Sequence, residues 1–333
     1  MKLFALCTLF LLLNVTVQGQ DLDKKEVLSL LVQEGPQAAL TRLGAYDKTA
    51  YDFGMDLIYE DSSEHALQWF EQLAIYTNDV KYLFGKAWTH WYRSEVQDAL
   101  KDANFVLLKQ PPAEIEARCR YMLGMIFLNT GENAAARDSF DQAQNLYDTL
   151  GKRGGKFLCM TGLAAAAIRQ QDFEQVVPYL DEAHSLNQTL DSPYSMGWLY
   201  ELYAEYYFQQ ADYAKALDYG RQSISEFKGE KNRGAWREME VKTSLYAILN
   251  GDLEAGYRMA RELDKYAAAE KNEKLAHYNN ITWILLYRCQ GTLDYSQMVE
   301  KVRGWGQANR QQDLLGLLQF IEAVPCPEFA PDQ

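Results

Sequence analysis

The stretch YMLGMIFLNTGENAAARDSFDQA, Tyr121 to Ala143, contains two helical patterns separated by a polar turn at TGEN. The first pattern places the small residue Gly124 three positions before Phe127. After the turn, Ala136, Phe140 and Ala143 follow at spacings of four and three, which is one face of a helix. The small positions let neighbouring helices approach closely, and the large ones fill the space between them. The stretch therefore predicts a packed helix pair.

The same pattern recurs along the chain at a step of forty residues. Segments aligned on Asp172, Asp212 and Asp252 extend back to Glu132 and forward to Thr292. Each aligned residue follows a polar or glycine-containing turn and precedes another amphipathic helix. An aspartate in this place accepts hydrogen bonds from the free N–H groups of the helix that follows. We therefore interpret the repeated aspartates as helix N-caps and not as an acidic site.

The tetratricopeptide repeat (TPR) combines W-x2-L-G-x2-Y on one helix with A…F…A on the next, and this chain resembles it. Six positions of the opening stretch match that pattern at the spacing of the family: Leu123, Gly124, Phe127, Ala136, Phe140 and Ala143. A later set matches it nearly as well: Tyr200, Tyr203, Ala204, Tyr207 and Ala216. The usual TPR has about 34 residues, so this repeat is longer. The resemblance extends from Ala113 to Gly306. It implies an all-α fold, a right-handed α-solenoid of stacked antiparallel helix pairs (a TPR-like superhelix).

The N-terminal residues have the pattern of a secretory signal peptide. An apolar stretch from Leu3 to Leu13 is followed by polar residues and by a small residue, Gly19, just before the expected cleavage site. The stretch is too short for a stable transmembrane helix, and no later segment is long and apolar enough to span. We expect an exported protein, periplasmic or secreted. Export permits disulfides, and Cys289 and Cys326 could pair if the C-terminal tail folds back.

The repeat and its flanks divide the chain into four predicted regions. The segment from Asp21 to Tyr59 is predicted to form two or three short helices broken at Gly35-Pro36. Near the other end, the segment from Asp313 to Val324 is predicted to form a capping helix. Terminal caps are required because an end repeat otherwise exposes an apolar face. The predicted regions are a signal peptide (1–19), an N-terminal helical cap with an irregular first unit (20–80), the repeat array (81–310), and a capping helix with a proline-rich tail (311–333).

Composition and motifs favour a binding protein over an enzyme. The net charge of −13, without a basic run, argues against nucleic acid and an anionic membrane surface as partners. No Cys or His spacing indicates a metal site, and no catalytic motif occurs. The GKRGGK segment, Gly151 to Lys156, follows no strand and is a poor phosphate loop. Cys119 and Cys159 share one repeat position and are predicted to be buried free thiols. We expect no cofactor and no catalysis.

The resemblance also indicates where a partner would bind. In TPR proteins the first helix of each pair lines a concave groove, and the exposed groove positions map onto first helices here. A lysine-, asparagine- and arginine-based clamp for a C-terminal carboxylate, known in some TPR domains, is absent at those positions. Glu201 and Glu205 lie four residues apart, so their carboxylates can share a face; the ordinary alternative is that both are solvated. The predicted partner-binding residues are Tyr121, Met125, Trp198, Glu201, Glu205, Val241 and Tyr278.

The sequence therefore predicts an exported scaffold that recognises a protein or peptide segment in the groove of a TPR-like superhelix. Two alternatives remain open. One is a carbohydrate-active enzyme of the α/α-toroid type, in which an acid pair in an aromatic groove serves glycoside hydrolysis. The other is a self-associating structural component of the cell envelope. The oligomeric state and the identity of the partner stay open.

Overall fold

In the computed structural model, the predicted helix pairs are all present as α-helices. The predicted signal peptide, Thr292 and the last residues of the tail lie outside the described residues. The described part of the chain contains seventeen helices and no strand. The chain divides into two compact units, Met1–Asp191 and Ser192–Gln333. The structure describes residues 23–44, 49–59, 62–190, 193–229, 233–291, 294–309 and 311–327.

Unit 1 contains three short helices followed by seven longer ones, and the chain breaks at Gly35-Pro36 as predicted. From α3 onward, helices that are neighbours in sequence pack on one another, and the odd-numbered helices α3, α5, α7 and α9 also contact one another in series. The helices are α1 (Lys24–Gln33), α2 (Pro36–Gly44), α3 (Ala50–Tyr59), α4 (Ser63–Thr77), α5 (Val80–Tyr92), α6 (Val96–Leu108), α7 (Ala113–Thr130), α8 (Asn133–Thr149), α9 (Arg153–Gln170) and α10 (Phe173–Leu190).

Unit 2 continues the same alternation and ends with the predicted capping helix, α17, which packs on α15 and α16. Its core is formed by apolar side chains from both helices of each pair. The helices are α11 (Pro193–Gln209), α12 (Tyr213–Gly229), α13 (Arg233–Leu249), α14 (Leu253–Ala269), α15 (Glu273–Gln290), α16 (Ser296–Ala308) and α17 (Gln312–Ala323).

The forty-residue repeat also appears in the backbone conformation of the turn that ends each first helix. The residue just before each aligned position adopts a left-handed conformation. At the four aligned positions that the structure describes, the amide of the aligned residue donates to the carbonyl five residues before it. This pair of features is a Schellman-type helix end. Glycine fits the left-handed conformation without steric cost, yet two of the five positions use glutamine or alanine. The left-handed residues are Gly131, Gln171, Ala211, Gly251 and Gly291.

The capping interpretation is confirmed at two of the three aspartates. Asp252 accepts from the backbone N–H of Ala255 at 3.0 Å, and Asp212 accepts from that of Lys215 at 3.2 Å. The Asp172 carboxylate instead accepts from Nη1 of Arg137 at 3.2 Å. The aligned position therefore serves the start of the second helix in unit 2, while in unit 1 it contributes an ion pair.

Phenylalanine rings on second helices press against glycines on first helices. The fully buried ring of Phe140 on α8 contacts Gly124 on α7 and Gly162 on α9, and a Cβ added at these glycines would lie 2.6 and 2.7 Å from ring atoms. Phe70 on α4 meets Gly54 on α3 and Gly85 on α5 in the same way, two pairs earlier. The small and large positions of the sequence pattern therefore form a contact that involves three helices.

Two glycine-to-alanine substitutions distinguish the effect of this contact on stability from the effect of helix propensity. Gly162→Ala should lower the free energy of unfolding, because overpacking a core costs about 1–3 kcal/mol and a helix-interior alanine gains only about 1 kcal/mol. The control is Gly304→Ala in α16, where an added Cβ meets no atom within 4 Å, and it should stabilise slightly. Urea unfolding of both variants measures the difference; equal effects would rule out the proposed contact.

The cap at Asp252 can be tested by comparison with Glu132, which occupies the same position of the repeat. Asp252→Ala should destabilise by about 1 kcal/mol, since an N-cap hydrogen bond is lost. Glu132→Ala should change stability by less than about 0.5 kcal/mol, because the Glu132 side chain makes no cap hydrogen bond. Thermal unfolding followed by circular dichroism compares the two. A similar loss in both would contradict the capping role.

The C-terminal segment is fixed to α15 by a covalent bond and by an arginine. Cys289 and Cys326 form a disulfide with Cα atoms 5.2 Å apart, so the tail folds back as the sequence permitted. Beside it, Arg288 donates to the carbonyl oxygens of Ile321 and Val324.

The remaining cysteines follow the sequence-based prediction. Cys119 and Cys159 are buried free thiols, and burial raises the pKa of Cys119 to about 12. A thiol with so high a pKa is a poor nucleophile at neutral pH. Within the described residues, none of the helices combines the length and the apolar character that crossing a bilayer requires.

Candidate ligand-binding site

Unit 1 contains a cavity of about 300 Å³ between its odd-numbered helices. This volume lies near the lower end of the range for small-molecule sites. The cavity also reaches the C-terminal ends of α8 and α10, at Tyr147 and Leu190. Its apolar and aromatic wall comes mainly from four helices that follow one another in the stack. The wall includes Tyr51 and Met55 from α3, Phe84 and Trp88 from α5, Tyr121 from α7 and Leu158 from α9.

The aromatic wall is rigid because its rings pack on the core. Trp88 is 3% exposed and lies next to Phe84, with ring centroids 5.9 Å apart. Tyr121 is 2% exposed and contacts Phe140, the ring that separates α7 from α9. The same packing that spaces the helices therefore holds the wall of the cavity.

The charged residues at the cavity are mostly cationic. Arg118 Nη2 donates to Glu114 Oε1 at 3.0 Å, and Lys152 Nζ lies 3.7 Å from Glu114 Oε2. With Arg153 at the rim, the lining has three cationic side chains and one anionic one, an excess of two positive charges. The whole chain carries a net charge of −13, so the cavity lining is locally positive in an acidic protein.

Two buried donors at the cavity lack an ordinary hydrogen bond. The indole N–H of Trp88 has no acceptor in the described part of the chain. The hydroxyl of Tyr51 lies near the Arg118 guanidinium without a hydrogen bond of ordinary geometry. Burial raises the pKa of Tyr51 to about 12, so the phenol stays protonated and can donate at neutral pH. Both polar atoms have almost no accessible surface, so they lie behind the cavity wall and are not exposed to its interior.

The start of α9 adds backbone donors to the same cavity. Lys152 is the N-cap residue, and its side chain makes no cap hydrogen bond. The first helical bond runs from the Lys156 N–H to the Lys152 carbonyl, and the N–H groups of the preceding first turn have no partner within a helix. Gly154 and Gly155 occupy that turn, and the Tyr147 ring packs where a Cβ of Gly155 would be. Both the partial positive charge of a helix N-terminus and its N–H groups favour anions.

The residues predicted from the groove resemblance do not form one surface. Tyr121 is a wall residue of the cavity, but Met125 and Val241 are each 1% exposed. The prediction that these two side chains face a groove is wrong, because both are enclosed by neighbouring helices. Trp198 is 4% exposed and packs edge-on against Phe227. Large apolar side chains on first helices are used in the stacking of the pairs, which the repeat pattern alone does not reveal.

The two predicted glutamates take part in a charged contact within unit 2. Lys242 Nζ on α13 donates to Glu201 Oε1 on α11 at 2.6 Å. Burial acts to lower the pKa of Lys242, but the carboxylates of Glu201 and Glu205 outweigh it and raise that pKa. One step along the stack, Lys274 Nζ on α15 donates to Glu238 Oε1 on α13 at 2.8 Å.

These ion pairs connect successive first helices, and they bear on the possible roles of the predicted residues. Glu201 is held in a contact between α11 and α13, which gives its carboxylate a structural role in the stack. Tyr278, the last predicted residue, lies half-buried with the Lys274 ammonium 5.4 Å from its ring centroid. Whether Trp198, Glu201, Glu205 and Tyr278 contact a partner stays a prediction.

A second cluster of titratable groups closes the turn between α5 and α6. His90, Glu95 and Asp98 offer atoms within 4.8 Å of one another. His90 Nδ1 lies 2.6 Å from Glu95 Oε2, and Arg93 Nε donates to Glu95 Oε1 at 2.8 Å. Because Glu95 already has two cationic or donor partners, this group is explained as an ion-pair network that fixes the turn.

The sequence analysis missed most of the cavity. Tyr51 lies in the region predicted to be a cap, Trp88 in the first part of the predicted repeat array, and Arg118 on a first helix at a position outside the repeat pattern. The GKRGGK segment was considered only as a phosphate loop, and its two glycines at the start of a helix were the one available signal. The residues converge only through packing of α3, α5, α7 and α9, so no local pattern could have grouped them.

Comparison with known proteins identifies the fold. No protein-family model matches the sequence, and no curated protein matches it. Among solved structures, a Rap protein complexed with competence and sporulation factor matches with a TM-score of 0.62 at 11% identity, over 90% of this chain and 93% of that one. NprR in complex with its cognate peptide NprX matches with a TM-score of 0.62 at 12% identity, over 92% and 94%.

A signal-transduction ATPase from Pyrococcus horikoshii with a tetratricopeptide repeat sensor matches with a TM-score of 0.63 at 15% identity. The match covers 89% of this chain but only 48% of the ATPase. The chain has a TPR-like fold. At identities this low, the likeness establishes the TPR-like helical solenoid and nothing about its ligand.

Proposed function

We propose that the chain is an exported binding scaffold, without catalytic activity, that recognises a segment of a protein or peptide. The observation that carries the proposal is the unit 1 cavity, which opens between the first helices of a TPR-like stack and combines an aromatic wall with the cationic side chains of Arg118 and Lys152. Such a combination of apolar wall and few polar groups is typical of a ligand site. The cavity receives a side chain of the bound segment.

The fold supports this assignment by precedent. NprR, with the same fold, was solved with its cognate peptide bound, so a TPR-like stack of this length can hold a short segment. The ion pair of Glu201 with Lys242 supports binding over glycoside hydrolysis, because it engages one of the two predicted carboxylates in a contact between α11 and α13. Rigid helices with satisfied ion pairs suit passive recognition.

Export is part of the proposal and rests on two independent features. The N-terminal residues have the pattern of a signal peptide, and Cys289 and Cys326 form a disulfide. Structural disulfides are typical of oxidising compartments. A chain that stayed in a reducing compartment would have little use for this bond between α15 and the tail.

Export can be tested by expressing the full chain with its own N-terminus in a secreting host. The recovered protein should begin at Gln20, and a non-reducing peptide map should join the fragments that contain Cys289 and Cys326. Cys119 and Cys159 should react with an alkylating agent only after denaturation, because both are buried. Recovery of the uncleaved chain from the cytosol, with all cysteines reduced, would refute the export proposal.

Binding can be tested with peptides selected from a random display library on the mature protein, residues 20–333. Leu190→Trp should weaken the selected peptides at least about tenfold, because Leu190 lines the cavity and a larger side chain there fills it. The matched control is Leu108→Trp, at a leucine that is 79% exposed and outside the cavity, which should bind normally. Fluorescence polarisation gives the dissociation constants, and circular dichroism checks folding.

Two results would count against the scaffold proposal. Failure to select any peptide, or equal binding by both tryptophan variants, would exclude the cavity as a peptide site. Release of reducing sugar from polysaccharides by the mature protein, lost in Glu201→Gln, would favour the enzyme alternative instead.

A further inference from the structure

We propose that the contact between α15 and α16 in unit 2 is a pH-sensitive joint, closed while the His277 side chain is neutral and loosened when that side chain takes up a proton. The joint consists of the imidazole ring of His277 on α15 and the indole ring of Trp305 on α16. It uses no residue of the unit 1 cavity, so the inference goes beyond the proposed function and does not depend on it.

The two rings of the joint lie face to face. Their centroids are 4.5 Å apart, and their planes are inclined by 12°. His277 is 8% exposed, so its ring fills space between the two helices and is not a free surface side chain. Beside the stacked rings, α16 buries the apolar side chains of Val299 and Val302. Because α16 places only these two apolar side chains fully in the core, separation of the rings would loosen the helix.

The buried nitrogen of the imidazole has no acceptor for a proton. His277 Nδ1 is buried and has no hydrogen-bond partner in the described part of the chain. A neutral imidazole can carry its hydrogen on Nε2 and leave a lone pair at Nδ1, whereas the imidazolium has an N–H at both nitrogens. The protonated ring would therefore bury a charged donor without an acceptor, which is strongly unfavourable. Turning toward water relieves this and separates the ring from Trp305.

Two charged groups near the ring act on it in opposite directions. Lys301 on α16 disfavours a further positive charge, and Glu273, one turn earlier on α15, favours it. Among the described residues, no charged group on α13, α14 or α17 acts on the ring. Burial is the largest influence, and together with Lys301 it lowers the pKa of His277 below the ordinary value of about 6.5. The ring in the closed joint is therefore neutral at neutral pH.

The lowered pKa determines the direction of the pH effect. A ring that has turned out binds a proton more readily than the ring in the closed joint. The closed joint is therefore fully favoured above about pH 6.5 and is progressively lost as the pH falls from there through the pKa of the closed form. A cation is also attracted to the face of an indole, and this effect alone would tighten the joint in acid. The disulfide between Cys289 and Cys326 does not titrate, so the tail stays attached to α15 while α16 loosens.

Hydrogen exchange of the mature protein, residues 20–333, tests the joint directly. Peptides from α16 should exchange about three- to tenfold faster near pH 5.5 than near pH 7, after correction for intrinsic exchange rates, because tenfold corresponds to a pKa of His277 one pH unit lower in the closed joint than in the open one. Peptides from α8 in unit 1 are the internal reference and should show no such change. Equal protection of α16 at both pH values overturns the proposal, and so does stronger protection in acid, which would mean that the attraction between imidazolium and indole prevails.

Variants assign the pH effect to His277. His277→Phe keeps a flat ring that can stack on Trp305 but cannot take up a proton, so α16 should be equally protected at both pH values. The control is His65→Gln, at an exposed histidine of unit 1, which should behave like the wild type. Titration of the histidine ring resonances by NMR should give His277 a pKa below about 6.5; a higher pKa, or faster exchange in acid that persists in His277→Phe, overturns the proposal. If His277→Phe does not fold, substitution of the other three histidines still assigns the resonance, and the wild-type titration decides.

Discussion

The contact between a phenylalanine ring and two glycines is the constraint on which the stack in unit 1 depends. Phe140 lies between Gly124 and Gly162, so one second helix determines how closely two successive first helices approach. Phe70 repeats the arrangement with Gly54 and Gly85. Because buried rings and backbone leave no room for a methyl group, the distance between first helices is fixed by atomic contact. The aromatic wall of the cavity depends on the same distance, since Tyr121 packs on Phe140.

Much of this arrangement could be predicted from the sequence, because the small and large positions recur at helical spacing. The forty-residue step also coincides with left-handed turn residues such as Gly131 and Gly251, which carry a local signal. Gln171 and Ala211 adopt the same conformation without that signal; there the helix-end hydrogen bond outweighs residue preference. Asp172 shows the reverse, since an arginine on α8 attracts a carboxylate that the pattern assigned to a cap.

The candidate site was much less predictable than the fold, for a reason specific to stacked pairs. The family resemblance points to positions on first helices, but it does not tell which of those side chains the next pair covers. Met125 and Val241 are covered, whereas Tyr121 borders a space left between helices. That space depends on Arg118, Trp88 and Tyr51, which come from three helices. A repeat pattern predicts which side chains of adjacent helix pairs contact each other. It does not predict the cavity that several successive pairs enclose.

The cavity also links packing to charge. Gly155 lets the Tyr147 ring lie against the first turn of α9, and Gly154 leaves that turn without a side chain beyond Cα. A larger residue at either position would cover backbone N–H groups that the helix itself leaves unpaired. An N-cap side chain, such as Asn272 at the start of the first helix α15, would occupy the same groups at α9; lysine stands there instead. The start of α9 therefore lacks the side-chain acceptor that α15 has, and its first turn borders the cavity without a cap. The glycines that admit the Tyr147 ring are thus also the reason why backbone, and not side chain, forms this part of the cavity lining.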